Sequence, residues 1–265
     1  MAHHSAPTQI SNPGPYKFAP KLKTFLLASI AIGIVTFAIS ANTAPDRAWP
    51  NFLINFFFFL CIGAIGGFLT ALQHTTNSYW SVSSRRVMEA FMSYLPVALV
   101  LSGVLFMGRS HLYQWAGAPI ANELTGHMVH LKAPYLNSGF FALRIFLFIG
   151  LWIVIGYKMR KNSLDQDNNG DHKFTLANIK LGALYIPVYA VTFTLLCFDL
   201  LMSLEPIWFS TIFGVYCFGG SFFSGMCLIA VILIMGRRQG VLTDVTVNAN
   251  HLHDVGKLMF AMTVF

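Results

Sequence analysis

Charged residues are scarce in this sequence. Asp, Glu, Lys and Arg make up 10% of its 265 residues, whereas 55% are hydrophobic. A soluble domain typically carries about 25% charged residues, so this deficit argues against a water-soluble globule. The net charge of +7 does not indicate nucleic-acid binding, because no basic stretch is interleaved with aromatic residues on a polar surface.

Cysteine and histidine are also few, and their placement excludes several redox centres. No pair of the four cysteines forms a C-x-x-C motif, and none of the nine histidines lies in the middle of an apolar run. A b-type haem commonly needs axial histidines at membrane depth, and c-type haem needs C-x-x-C-H. We therefore predict no metal site and no cofactor bound by this chain. The cysteines Cys61, Cys197, Cys217 and Cys227 are interpreted as small packing residues.

Long apolar runs are what the sequence has in abundance, and six of them can each cross a bilayer. A membrane helix needs about 20 mainly apolar residues to cross a hydrocarbon layer of ~30 Å. The fold class predicted is all-α, a polytopic transmembrane helical bundle. We predict a tail over 1–23 and a transmembrane domain over 24–265, in which 254–265 begins a seventh span and leaves the domain incomplete at its C-terminus. The six runs are residues 24–41, 51–72, 87–107, 138–159, 179–204 and 209–236.

The basic residues predict which way the chain faces. With the N-terminus in the cytoplasm, 13 of the 17 Lys and Arg residues fall on the inner side and three on the outer side. Lys and Arg are enriched in cytoplasmic loops, so this bias is a strong orientation signal. The outer residues are Arg47, Arg109 and Lys132, and Arg144 lies inside a span.

Two ionisable residues lie within the predicted membrane thickness. Arg144 is six residues into the fourth span, or about 9 Å deep, and Asp199 is about 8 Å below the same surface. Opposite charges at one depth predict an ion pair, in which each charge offsets the desolvation of the other. The alternative is that each side chain reaches the outer interface separately. Such residues in membranes are commonly functional.

A second group of ionisable residues gathers at the inner ends of the spans. Carboxylates and imidazoles from three helices would suit proton uptake, because histidine titrates near neutrality and burial raises carboxylate pKa values. The alternative is ordinary interfacial charge that anchors helix ends. The proton-path candidates on both sides of the membrane are His74, Glu89, Asp199, Glu205, His253, Asp254 and Lys257.

The inner connection 160–178 contains DQDNNG, which opens like a calcium-binding loop. Position 12 of such a loop would be a bidentate glutamate, but here it is Leu176. We therefore interpret 160–178 as a solvated turn without a metal.

One stretch resembles a known family. The segment CFDLLMSLEPIWFSTIFGVYCFGGSF (197–222), followed by HLHDVGKLMFAMTVF (251–265), resembles the F subunit of bacterial alternative complex III. The most specific part is Asp-x-x-Met-Ser-Leu-Glu-Pro-x-Trp, from Asp199 to Trp208. The family often has tryptophan after the aspartate and histidine after the proline, whereas this chain has Leu200 and Ile207 there.

The resemblance implies a specific setting. It implies a ten-helix fold like the membrane subunit of polysulfide reductase, in the bacterial inner membrane, within a respiratory quinol:cytochrome c oxidoreductase. Partners would be lipid and a multihaem cytochrome c, an iron–sulfur subunit and a quinol-binding subunit. Haem c and iron–sulfur clusters would belong to those partners, with menaquinol or another quinol nearby. This subunit would scaffold the complex and offer a proton route.

Two alternatives remain at this point. One is a quinol-binding anchor of another molybdopterin-type reductase, which would hold a quinone near Glu89 or Asp199. The other is a stand-alone transporter, which should have discontinuous helices that meet at the membrane midplane.

Overall fold

A computed structural model describes residues 19–78, 80–82, 84–117, 123–242 and 246–264. Within these ranges the secondary structure is helical, with no strand. Six helical segments are long and apolar enough to cross a membrane. The prediction of an all-α, multi-pass membrane protein is confirmed. The predicted tail 1–23 lies outside the described residues up to position 18.

The helices extend beyond most of the apolar runs that predicted them. Two of the membrane segments contain a short 3-10 turn, one over Met92–Tyr94 and one over Met202–Leu204. The α-helices are α1 Pro20–Thr43, α2 Pro45–Thr75, α3 Arg85–Phe91, α4 Leu95–Met107, α5 Arg109–Leu112, α6 Glu123–Lys132, α7 Ser138–Asn169, α8 Lys173–Leu200, α9 Phe213–Arg238 and α10 Ala249–Val264.

Helix α1 belongs to a unit that ends at Thr43, separate from the unit formed by Ala44–Phe265. None of its 24 residues is buried, although it carries large apolar side chains all round, among them Phe25, Ile30 and Ile34. A helix that is apolar on every side suits a hydrocarbon environment.

In the second unit, α2 and α8 pack together at the centre, and α7 and α9 each pack against α8. Close packing depends on glycine. A Cβ atom added at Gly66 would come within 2.5 Å of Phe91 Cβ and 2.7 Å of the Met88 carbonyl oxygen. A Cβ at Gly67 would collide with the Tyr185 hydroxyl. Small residues let membrane helices approach at backbone distance, so these positions fix α2 against α3 and α8.

The helices of this unit expose two opposite faces. We call the end of the bundle formed by residues 108–117, 123–137 and 201–212 the hairpin face. Its loops are joined there, because Tyr113 Oη donates to the Leu200 carbonyl at 3.1 Å and Lys132 Nζ donates to the Pro206 carbonyl at 2.5 Å. We call the other end the basic face, to which α2, α7 and α9 run; its described residues are 76–78, 80–82, 84, 160–178, 239–242 and 246–248.

The prediction of a solvated turn over 160–178 is wrong except at residues 170–172, because α8 already begins at Lys173. Helix α7 continues through Asn169 and ends at Gly170, whose φ of 65° is a left-handed conformation that glycine adopts readily. Tertiary contacts hold this polar extension: Arg86 Nη2 donates to the Ser163 carbonyl at 3.0 Å, and Gln166 Nε2 donates to Thr175 Oγ1 at 2.7 Å. Hydropathy identifies apolar runs, so it does not predict a polar helical segment that is stabilised by tertiary contacts.

A break separates α3 from α4 near the basic face. Pro96 has no N–H to donate to the Met92 carbonyl, and the Leu95 N–H takes that acceptor in a 3-10 turn. The predicted third span is thus a helix in two pieces.

Candidate functional site

The hairpin face contains a buried ion pair between α7 and α8. Arg144 Nε lies 2.7 Å from Asp199 Oδ2, and Arg144 Nη2 lies 2.8 Å from Oδ1. The Asp199 side chain is 0% exposed and that of Arg144 is 5% exposed. Two parallel N–H···O bonds fix both distance and orientation. The structure thus brings together Arg144 and Asp199, for which the sequence predicted an ion pair from their equal depth in the membrane.

The remaining surface of the Arg144 guanidinium is also occupied. Its Nη1 donates to the Tyr135 carbonyl at 3.1 Å, and its Cζ lies 3.8 Å from the centre of the Tyr135 ring and 4.2 Å from that of Phe140. Aromatic faces attract a desolvated cation. Ser203 Oγ donates to the Asp199 carbonyl at 2.5 Å and so ties the 3-10 turn to the end of α8.

Two tyrosines of the hairpin-face loops lie near this pair and stay protonated. Burial, together with the negative charge of Asp199, raises the pKa of Tyr135 to about 12. Burial also raises the pKa of Tyr113, with a smaller contribution from Asp199. At physiological pH both hydroxyls are therefore neutral.

Glu205 lies on the same face but outside the ion pair. It is exposed and lines a cavity of about 230 Å³, together with Lys132, Tyr135, Ser203 and Trp208. Since Ser203 bonds to Asp199 and also lines the cavity, the cavity reaches the neighbourhood of the pair.

The basic face contains a second buried polar cluster, centred on Glu89 of α3. Its side chain is 2% exposed, and Oε2 accepts from Arg86 Nη1 at 2.7 Å. The other oxygen, Oε1, is buried without a hydrogen-bond partner among the described residues. Arg86 is half exposed and also pairs with Asp167 of α7. Glu89 is thus linked through one guanidinium to a carboxylate at the protein surface.

His74 lies in the same region, at the end of α2. It is 3% exposed, and its Nε2 is 3.4 Å from Asn178 Nδ2. Asn178 is itself held by the Met159 carbonyl, to which it donates at 3.1 Å, and by Asn162, which donates to it at 2.9 Å. Arg85 and Arg86 both act electrostatically on His74. The basic-face cluster therefore comprises Glu89, Arg86, Asp167, His74 and Asn178.

The structure does not bring the candidates from α10 into this cluster. Asp254 and Lys257 pair with each other at 3.1 Å, one helical turn apart, and His253 is exposed. Helix α10 packs against α9, and within the described ranges its charged residues form no hydrogen bond with His74 or Glu89.

Sequence reasoning missed two members of the cluster. Asp167 falls in the segment interpreted as a turn, and Asn178 lies just before the predicted fifth span. A single asparagine at the start of an apolar run is a weak signal, because such a residue often faces solvent. Only the packing of α2 on α8 shows that Asn178 is fully buried.

Both clusters consist mainly of ionisable side chains, at opposite ends of the bundle. Among the described residues, no group of three or more His, Cys, Asp or Glu side chains could hold a metal ion. Between them lies an aromatic core in which Trp152 Nε1 donates to Thr192 Oγ1 at 2.8 Å beside Tyr189. The aromatic core therefore separates the buried ionisable groups at the two ends of the bundle.

Comparison with known proteins adds no family: no protein-family model matches the chain, and no curated protein matches it significantly. The fold and the two clusters define it as a multi-pass integral membrane protein with buried polar groups at each end.

Proposed function

We propose that this chain is an integral membrane subunit of a respiratory quinol:electron-acceptor oxidoreductase. Within that complex, the helical bundle of this chain acts as a scaffold and provides part of a proton route coupled to quinol oxidation. The electron carriers, haem c and iron–sulfur clusters, belong to partner subunits in this proposal.

The observation that carries the proposal is the run from Asp199 to Trp208. It is the most specific part of the resemblance to the F subunit of alternative complex III, and its first residue is the fully buried partner of Arg144. A charge at this depth is costly and is retained where it has a structural or functional role. The same run forms the wall of the hairpin-face cavity through Ser203, Glu205 and Trp208.

The proton role is supported by the basic-face cluster. The Glu89 carboxylate is nearly inaccessible, and its Oε1 has no hydrogen-bond partner among the described residues, so one oxygen remains available to a proton donor. Asp167, which is exposed, lies at the surface end of the same chain of contacts. This is the arrangement expected of an inner proton uptake site.

Native purification of the tagged chain from its own membrane tests the class of complex. We expect a multihaem cytochrome c and an iron–sulfur protein to co-purify in fixed proportion, as identified by mass spectrometry and by the haem absorbance. Isolation of the chain as a homo-oligomer, or with partners that carry no redox centre, would reject the respiratory assignment.

The hairpin-face cavity favours a second candidate, a quinol-binding anchor of another molybdopterin-type reductase. Its position beside Asp199, with Lys132 and Glu205 in the wall, would suit an apolar ring with polar substituents. A quinone retained at one per chain after the partner subunits are removed would support this reading. The transporter reading has less support, because the break at Met92–Tyr94 lies near the basic face and not at midplane.

A further inference from the structure

A groove separates α4 from α7 on the side of the bundle, close to the basic face. Its volume is about 250 Å³. One wall is the 3-10 turn and the start of α4, including Ser93 and Pro96; the other is one stripe of α7, including Ile153, Tyr157 and Arg160. Met92 packs on Gly156, where an added Cβ would lie 2.8 Å from Met92 Sδ, so these two residues close the floor of the groove between its walls.

The groove is apolar along its length and carries a positive charge at one end. Arg160 is exposed and its Nη1 lies 2.5 Å from Ser93 Oγ, which accepts the hydrogen bond. A guanidinium has five N–H donors, so most of its hydrogen-bonding capacity points outward. The Ser93 hydroxyl keeps its own proton for a second acceptor. Together they form a donor pair that matches a phosphate group.

The surrounding charge favours an anion. Lys158 and Lys161 lie on the same turn of α7 as Arg160, and both are exposed. In the described part of the chain, none of these three residues forms an ion pair with a carboxylate. The exposed ring of Tyr157, 67% exposed, lies one turn below, at the depth where tyrosine marks the membrane interface.

We propose that this groove binds one anionic phospholipid, with its phosphate on Arg160 and Ser93 and an acyl chain along Ile153 and Pro96. The hydrogen-bond donors Arg160 and Ser93 lie at one end of the groove, and the rest of the groove is apolar. A ligand that fills it must therefore join an anionic head to a long apolar tail. Basic sites between membrane helices are known to select such lipids. The site shares no residue with the two clusters described above and does not depend on the proposed respiratory role.

Native mass spectrometry of the full chain in neutral detergent tests the site, with dioleoylphosphatidylglycerol as the probe and dioleoylphosphatidylcholine as the neutral comparison. We expect one phosphatidylglycerol per chain, held roughly tenfold more tightly than phosphatidylcholine. Arg160→Gln should abolish that preference, whereas Arg160→Lys should retain part of it, because lysine keeps the charge without the fork.

Lys158→Gln is the matched control. Lys158 is two residues from Arg160 and does not line the groove, so this substitution removes the same charge without removing a proposed phosphate contact. We expect it to weaken binding by less than about threefold. Ile153→Trp changes no charge and narrows the groove, so it should also reduce phosphatidylglycerol binding.

Several results would overturn the proposal. They are equal affinity for the two lipids, equal losses in Arg160→Gln and Lys158→Gln, or unchanged binding in Ile153→Trp. Equal competition by glycerophosphoglycerol, which lacks acyl chains, would instead indicate a soluble phosphate ligand. A photocrosslinker at position 153 that captures a polypeptide in native membranes would assign the groove to a protein partner.

Discussion

Asp199→Asn is expected to destabilise the folded protein by about 3–5 kcal/mol, since removing one partner leaves the other as an uncompensated buried charge. Arg144 would keep its contacts with Tyr135 and Phe140 but would lose both carboxylate acceptors. Arg144→Gln should have a comparable effect, because Asp199 would then be buried without a cation. The measurement is the fraction folded in detergent as denaturant is added.

The double variant Arg144→Gln/Asp199→Asn separates this pair from general packing damage. We expect it to be milder than either single variant, because it contains no unpaired charge. Asp254→Asn is the matched control: it makes the same chemical change in the more exposed pair with Lys257, and should cost less than about 1 kcal/mol. If Asp199→Asn were as mild as this control, or if the two single effects simply added, the buried pair would not stabilise the fold as described.

Glu89→Gln is expected to slow quinol-driven proton movement by about tenfold or more in the intact complex. Glutamine has nearly the same shape and can still accept from Arg86, but it cannot carry a proton. Proton movement would be measured in vesicles that contain the reconstituted complex, with assembly followed by native electrophoresis. Glu89→Asp retains a titratable group and should restore part of the rate.

Asp171→Asn is the control for this experiment, because Asp171 lies on the same face and pairs with Lys173. Among the described contacts, the Asp171 side chain bonds only with Lys173, whose hydrogen bonds, above all from the backbone N–H, lower its pKa, and it has no hydrogen bond to the basic-face cluster. Its replacement should leave proton movement unchanged. Normal proton movement in an assembled Glu89→Gln complex would remove Glu89 from the route.

The spans and the polar residues within them could be predicted because the bilayer imposes strong, local requirements. A run of about 20 apolar residues marks a span without knowledge of its neighbours. Depth alone placed Arg144 and Asp199 at one level, although they are 55 positions apart in the sequence. The packing of α7 against α8 determines two further features that depth does not predict. The contact is bidentate, and Tyr135 and Phe140 cover the guanidinium.

The basic-face cluster was harder to predict, because it depends on long-range contacts among polar residues. Glu89 was identified from its position near a span end, but the role of Asp167 required the helical extension of α7 past residue 160. The apolar run of α7 ends at the membrane interface, so hydropathy does not predict the polar helical extension beyond it. Conversely, the residue types on α10 suit a proton path, but α10 packs on α9 and its side chains do not join the basic-face cluster. The residues concerned are His253, Asp254 and Lys257.

Residue accessibility from each side of the membrane tests the central claim most directly, that α7, α8 and α9 cross a bilayer with the two faces on opposite sides. Single cysteines replace His172 on the basic face and Ile207 on the hairpin face, both exposed, in a chain whose four native cysteines have been removed. With an impermeant thiol reagent applied to intact cells, we expect position 207 to be labelled and position 172 to react only after the membrane is opened. Labelling of both positions from the same side would contradict the membrane arrangement and, with it, the assignment of the two buried clusters to opposite surfaces.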